Sequence, residues 1–186
     1  MNIVTVTPAM LAGRTNELSA LLIDCVRNGS SVGFLRTIDA AEASAYWDAV
    51  RAAMESGCRV LLIAEHAGQL QGTVQLDFCL KPNGVNRAEI QKLIVHTSAR
   101  RRGVAAALMT KEEDVARERG RGLVYLDTEA GSPAEAFYLA QGYTCIGGLP
   151  EYACSPDGEW RANAIYYKTL FTRSAEKDMD SPRAAA

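Results

Sequence analysis

The residues with the most chemical content form one run, Ile90-Gln91-Lys92-Leu93-Ile94-Val95-His96-Thr97-Ser98-Ala99-Arg100-Arg101-Arg102-Gly103-Val104-Ala105. An apolar strand passes here through a basic turn directly into a segment of helical periodicity. Such a junction presents unpaired backbone N–H groups at the positive end of a helix, which suits a phosphate or pyrophosphate. Gly103 permits close approach of the backbone to an anion, Ala105 keeps a long side chain out of the way, and Arg100, Arg101 and Arg102 add charge. The same arginines would also suit a solvated turn or a nucleic-acid contact. Glu89 opens this strand and Asp127 closes the next. Carboxylates in such positions take a proton from a nucleophile, hold a substrate ammonium, or simply sit in water at a strand end.

Other chemistries are excluded. The turn lacks the GxxxxGK[ST] of a Walker loop and the three spaced glycines of a dinucleotide fingerprint. Five cysteines without a CxxC pair and only two histidines make no zinc framework, so no metal is expected. Neither histidine has the context of a Ser-His-Asp system; His96, Cys25, Cys79 and Trp47 read as core or surface residues. Twenty basic against twenty-two acidic side chains give a formal charge of -2, so no global field favours nucleic acid or an anionic membrane and any anion site is local. The first residues carry no basic region followed by an apolar run, and no apolar stretch reaches about 18 residues. The expectation is a cytoplasmic chain with free thiols and no membrane partner.

The elements that must position these residues follow from periodicity. Ile3 to Val6 alternates as a strand, and Leu11, Leu18, Leu21, Leu22 and Cys25 recur at helical spacing until Asn28-Gly29. After a loop over Ser30 to Phe34, Asp39 and Glu42 form a capping box for a second helix through Tyr46, Trp47, Val50 and Met54 to Gly57. Arg59 to Glu65 and Thr73 to Phe78 flank His66-Ala67-Gly68-Gln69 as a hairpin. Period-2 alternation along Glu89 to Val95 puts Glu89, Gln91, Leu93 and Val95 on one face. Val104, Ala107, Leu108 and Val115 give the next helix one apolar face up to Gly120, and Leu123 to Asp127 is a strand. Ser132-Pro133-Ala134-Glu135 combines an N-cap, a proline at the first helical position and a capping-box glutamate, starting a short helix through Phe137 and Tyr138 to Gly142. Tyr143 to Ile146 and Ala164 to Leu170 close the pattern around an irregular loop. From Phe171 onward periodicity ends, predicting one domain over residues 1–170 and a disordered tail over 171–186. The order β-α-α-β-β-β-α-β-α-β-β predicts an α/β sandwich with a mixed sheet.

Arg100-x-x-Gly103-x-Ala105 after an apolar strand resembles motif A of the GNAT N-acetyltransferases, with Ala105 where a second glycine is commoner. The hairpin before it, the strand Leu123 to Asp127, the helix with Phe137-Tyr138 and then Gly142-Tyr143 follow in that family's order, and the similarity spans about residues 3 to 170. Longer strings resemble the tabtoxin-resistance acetyltransferases within it: Ser31-Val32-Gly33-Phe34, Lys81-Pro82-Asn83-Gly84, Asn86-Arg87-Ala88-Glu89, Leu126 to Ser132, and Ala164-Ile165-Tyr166-Tyr167-Lys168-Thr169-Leu170.

The resemblance implies a GNAT fold, with a mixed central sheet of about six or seven strands flanked by four helices, and acetyl-CoA as co-substrate. Leu93, Ile94, Val95, Arg100, Arg101, Arg102, Gly103, Val104, Ala105 and Ala106 would then contact acetyl-CoA, the Val95 N–H polarising the thioester carbonyl. Glu89 and Asp127 would converge from adjacent strands to handle the amine's proton. Tyr138 would protonate the leaving thiolate, a phenol of pKa about 10 being matched to a thiol near about 8.5–9. The asparagine many members carry before the last helix is replaced by Gly131 and Ser132. The acceptor implied is the amine of a small molecule, amino-acid-like or toxin-like. Peptide or protein N-acetylation is a second enzyme reading, and a non-catalytic acetyl-CoA-binding sensor a third; pairing is common in the family, which admits a homodimer.

Overall fold

The protein is described over residues 1–172 by a computed structural model, so the tail expectation lies, from residue 173 on, outside the described residues. β1 (Asn2–Thr5) leads into α1 (Pro8–Arg27), which starts where Thr7 Oγ1 accepts the Met10 N–H at 3.2 Å and ends at Asn28, ahead of Gly29 at φ +87°. α2 (Ala40–Glu55) is capped by Asp39, whose carboxylate accepts the Glu42 N–H at 2.8 Å. β2 (Arg59–His66) and β3 (Gln69–Phe78) form the expected hairpin, followed by β4 (Arg87–Val95), α3 (Val104–Glu118), β5 (Leu123–Glu129) and α4 (Pro133–Ala140). β6 (Thr144–Cys145), a small hairpin of β7 (Ala153–Cys154) and β8 (Trp160–Arg161), and β9 (Asn163–Thr169) complete the chain.

The main sheet has seven strands in the order β1-β2-β3-β4-β5-β9-β6 and is antiparallel except between β4 and β5. Leu11, Leu18 and Leu22 of α1 and Trp47 and Val50 of α2 close over Leu61, Ile63 and Ile94 on one face. Leu108 and Met109 of α3 and Tyr138 of α4 cover Leu62, Val74, Leu76, Ala88 and Ile90 on the other. Both faces of β2 are buried, which is why Val60 to Ala64 read as a continuous apolar run.

Two departures from the expected pattern shape the site. β4 pairs with β5 only from Arg87↔Leu123 to Glu89↔Tyr125, whereas β5 stays with β9 along its whole length. β4 carries a bulge: Gln75 faces Gln91 and Thr73 faces Ile94, so Lys92 and Leu93 together oppose Val74. Lys92 adopts φ +49°, and Thr73 Oγ1 donates to its carbonyl at 3.1 Å. A non-glycine residue in that conformation costs about 1–3 kcal/mol and persists only where its surroundings enforce it. The extra residue bends the strand and reverses its alternation. Leu93 and Val95 therefore pack with Ala88 and Ile90 on the α3 face, and Ile94 on the α1–α2 face. This corrects the period-2 expectation that Leu93 and Val95 share the face of Glu89. Gly72, opposite Val95, is obligatory here, because a Cβ on it would lie 2.6 Å from the Ile94 carbonyl oxygen.

The capping box at α4 also differs from expectation. Ser132 makes no side-chain cap; Glu135 instead accepts the Gly131 N–H at 2.6 Å with one oxygen and the Tyr166 hydroxyl at 2.6 Å with the other. The long-range tyrosine draws the glutamate one residue away from its local partner. The β7–β8 hairpin was not legible, since two-residue strands carry no period. Its turn reaches across to the α1–α2 loop, where Arg36 donates its N–H to Pro156 O at 2.9 Å and its guanidinium to both Asp157 oxygens at 2.6 and 3.0 Å.

Candidate active site

Where β4 leaves β5, a cleft of about 1120 Å³ opens between them, lined by the turn into α3, the C-terminal part of β4, the end of β5, the start of α4 and the segments before β7 and after β8. Its turn end is made of backbone. Arg101 has φ +62° and Gly103 φ +79°, and α3 has no side-chain N-cap. The first helical bond to close is Ala107 N–H to Gly103 O at 3.0 Å, so the amides of residues 101–106 have no acceptor among the described residues. A Cβ at Gly103 would meet nothing within 4 Å, so this end is open space. Arg101, Gly103, Val104, Ala105 and Ala106 line the cleft, while Arg102 is exposed and outside it. Arg100 lines it too but folds back, its guanidinium reaching Val95 O at 3.3 Å and Ser30 Oγ at 3.4 Å.

Leu93, Ile94 and Val95 form the wall beside this turn. The His96 N–H donates to Gln71 O of β3 at 2.8 Å, so by alternation the N–H and C=O of Val95 point away from β3. The carbonyl is held by Cys25 Sγ at 3.3 Å and by Arg100. The N–H faces the gap, because β5 pairs with β4 no further than Glu89. Burial pushes the Cys25 thiol up to about 11, which makes it a hydrogen-bond donor rather than a nucleophile.

The other end is made of side chains. Glu89, Tyr125 and Asp127 share a sheet face, since Glu89 is in register with Tyr125 and Asp127 lies two residues on. Tyr125 donates weakly to Glu89 at 3.4 Å, and Asp127 is exposed to the cleft. Both carboxylates act on Tyr152, and Asp127 also on Tyr138. The charge of Asp127, then burial, then Glu89 hold the Tyr152 phenol above its ordinary range. Burial, followed by the charge of Asp127, pushes Tyr138 up strongly. The Tyr138 ring packs against Phe137, Tyr143 and Tyr166, while its hydroxyl makes no hydrogen bond with a described residue. All three expected catalytic residues, Glu89, Asp127 and Tyr138, line this one cleft.

Sequence reasoning missed several walls. Ser31 to Gly33, Lys92, Tyr152 and Arg161 also line the cleft, and behind Lys92 stand Phe34 and Tyr46, the latter exchanging hydrogen bonds with Gln75 at 3.1 and 2.8 Å. No local signal marks Lys92, because the bulge that turns it toward these rings is set by the pairing of β4 with β3. Ser132 Oγ, beside the cleft at the start of α4, is buried with no partner among the described residues and offers a donor to a ligand. Among the described residues, no group of three or more His, Cys, Asp or Glu could hold a metal ion, and no helix is long and apolar enough to cross a membrane.

With this geometry in hand, comparison with known proteins is decisive at the family level. Residues 17–143 match the model of the acetyltransferase (GNAT) family. The chain belongs to the GNAT acetyltransferase family. Solved structures agree in fold. Ribosomal-protein-alanine N-acetyltransferase from Brucella melitensis superposes with TM-score 0.73 at 24% identity, over 91% of this chain and 100% of that one. YncA from Salmonella typhimurium, solved with its cofactor acetyl-CoA, gives TM-score 0.73 at 19% identity over 94% and 96%. An aminoglycoside 6'-N-acetyltransferase complexed with coenzyme A gives TM-score 0.71 at 18% identity over 94% and 99%. The four helices and the mixed seven-stranded sheet of this chain are the GNAT fold.

Proposed function

We propose that this GNAT protein transfers the acetyl group of acetyl-CoA to the amine of a small amino-acid-like molecule in the cytoplasm, a β-lactam amino-acid toxin of the tabtoxin type being the model acceptor. One observation carries the reading: the gap where β4 parts from β5 joins a turn of unpaired amides at residues 101–106 to the carboxylates Glu89 and Asp127. The toxin-directed part is supported by the strings that resemble tabtoxin-resistance enzymes, because Ser31 to Gly33, Glu89, Asp127 to Glu129, Gly131 and Ser132 all line that gap.

Acetyl-CoA, when bound, supplies an acetyl group activated as a thioester. The residues present fit it. The amides of Arg101 to Ala106 and the α3 dipole would hold its pyrophosphate, with Arg100 lining the cleft and Arg102 outside it adding field. Leu93, Ile94 and Val95 would line the acetyl-bearing arm, the Val95 N–H donating to the carbonyl oxygen. An alkylamine with pKa near about 10 is only about 0.1% neutral at pH 7, a handicap of about 4 kcal/mol. Glu89 and Asp127 offset it by drawing the proton from the ammonium, directly or through water. Tyr138 is kept protonated by its buried surroundings and would give its proton to the leaving thiolate; burial and then the charge of Asp127 raise it above the match to a thiol that an ordinary phenol has, so the transfer needs charge already developed on sulfur.

The test is release of CoA thiol by purified protein across amines, amino acids, antibiotics and peptides. Turnover with an amino-acid-like amine is expected. Acetyl-CoA binding without thiol release on any acceptor would overturn the reading in favour of a sensor, and turnover on peptides alone would move it to protein acetylation.

A further inference from the structure

Lys92 has no part in the chemistry above, yet the bulge exists at its position. Its ammonium lies 5.9 Å from the ring centre of Phe34 and 5.6 Å from that of Tyr46, and it makes no hydrogen bond or ion pair with a described residue. Gly33 leaves room beside it, since a Cβ there would stand 3.5 Å from Nζ. The neighbouring cation, Arg59, is already neutralised by an ion pair with Asp77 and a 3.2 Å hydrogen bond to Gln75. Burial, and then the charge of Arg59, pull Lys92 below the ordinary lysine range, against the opposing pull of Asp127 and Glu89. Aromatic faces alone replace only part of the hydration an ammonium loses.

Regular alternation would carry residue 92 to the face of Ala88 and Ile90, into the core beneath α3. The left-handed backbone at Lys92 turns it instead toward Phe34 and Tyr46, on the side of Glu89 and Asp127. One bulge therefore does two things. It bends β4 just beyond the last residue that pairs with β5, and it delivers a cation without an ion-pair partner among the described residues to a chamber that already holds two carboxylates.

We propose that Lys92 binds the carboxylate of the acceptor while Glu89 and Asp127 receive its ammonium, so that the acceptors are amino acids and their close analogues rather than plain amines. The inference rests on the acetyltransferase reading above and narrows it to zwitterions. Complementary charges at the two ends of such an acceptor fix which nitrogen faces the acetyl group. A charge-assisted hydrogen bond of this kind corresponds to about a 10- to 100-fold preference.

The experiment pairs L-2,4-diaminobutanoate, L-ornithine and L-lysine with their α-carboxamides, which keep shape but lose the negative charge. Wild type, Lys92→Met and Lys92→Arg are compared by CoA release, with acetyl-CoA calorimetry establishing that each variant is folded. The loss of kcat/KM in Lys92→Met should be about 10- to 100-fold greater for carboxylates than for carboxamides, should fall chiefly on KM, and should be partly restored by Lys92→Arg. Equal losses in both series, carried by kcat, would overturn the proposal by making Lys92 a proton-handling group. The same pairs titrated into CoA-saturated wild type give a readout without turnover. Tighter binding of carboxylates with no acetyl transfer would refute the acetyltransferase reading and leave Lys92 as the anchor. Transfer with no preference for carboxylates would do the reverse.

Discussion

At the turn end of the cleft, consecutive residues 101–106 offer amides that no described group uses, and the side chain of Arg102 does not even face the space. At the other end Glu89 and Lys92 come from β4, Tyr125 and Asp127 from β5, Tyr46 from α2 and Tyr152 from the loop before β7. A site made of backbone depends on φ and ψ and tolerates changes of side chain; a site made of side chains depends on each one and on the elements that bring it.

The largest effect is expected from Gly103→Glu, which adds a carboxylate at the anion site and forces a left-handed position on a side-chain-bearing residue. Acetyl-CoA affinity measured by calorimetry should fall by more than about 100-fold, whereas Gly103→Ala, whose Cβ meets open space, should show only the backbone penalty of about 1 kcal/mol. Wild-type affinity in a folded Glu variant would sink the assignment. Next comes the double change Glu89→Gln with Asp127→Asn, expected to lower kcat/KM by about 10²- to 10⁴-fold with acetyl-CoA affinity retained. Unchanged turnover and an unchanged pH profile would reduce both carboxylates to surface groups.

Tyr138→Phe should lower kcat by about 10²-fold with little change in acetyl-CoA affinity. Burial, then Asp127, raises the phenol above its ordinary value, so it remains protonated through neutral and mildly alkaline pH. The sign for stability follows: ionisation is easier in the unfolded chain, at about pH 10, so this group's contribution is intact below that pH and is lost as pH climbs beyond it. Alkaline unfolding should accordingly be shallower in the Phe variant, and undiminished kcat there would remove the acid role from this position. The smallest effect is expected from Arg36→Ala. It removes a pair whose side chains are 47% and 60% exposed, and the melting temperature should barely move. A large drop would mean that the β7–β8 hairpin holds the fold rather than merely covering the cleft.

The same contrast explains what the sequence revealed. Gly103 and the strand-turn-helix order are local, so the turn could be read from contiguous residues. The helices were legible because Asp39 and Pro133 mark two of their starts and apolar stripes mark their faces. Glu89 and Asp127 were found through resemblance, since nothing local says that β4 and β5 adjoin. Lys92, Phe34 and Tyr46 escaped because the bulge that unites them depends on pairing with β3, and period-2 reading assumes no bulge. Ser132 misled because its box partner Glu135 is taken by Tyr166, which lies 31 positions from it in sequence.

Three residue pairs are all that join β1–β4 to β5, β9 and β6 across the middle of the sheet. Each half is drawn from its own stretch of chain, residues 2–95 on one side and 123–169 on the other. The cleft is thus also a seam between two units of the sheet, bridged beneath by one apolar cluster that draws residues from both. A ligand lying in it touches both units and ties them together, contributing RT ln(1 + [L]/Kd) to the integrity of the whole chain. Occupancy of the cleft and global unfolding are in this way one linked equilibrium, and slowed hydrogen exchange on both sides of the seam would report a bound molecule before any product is formed.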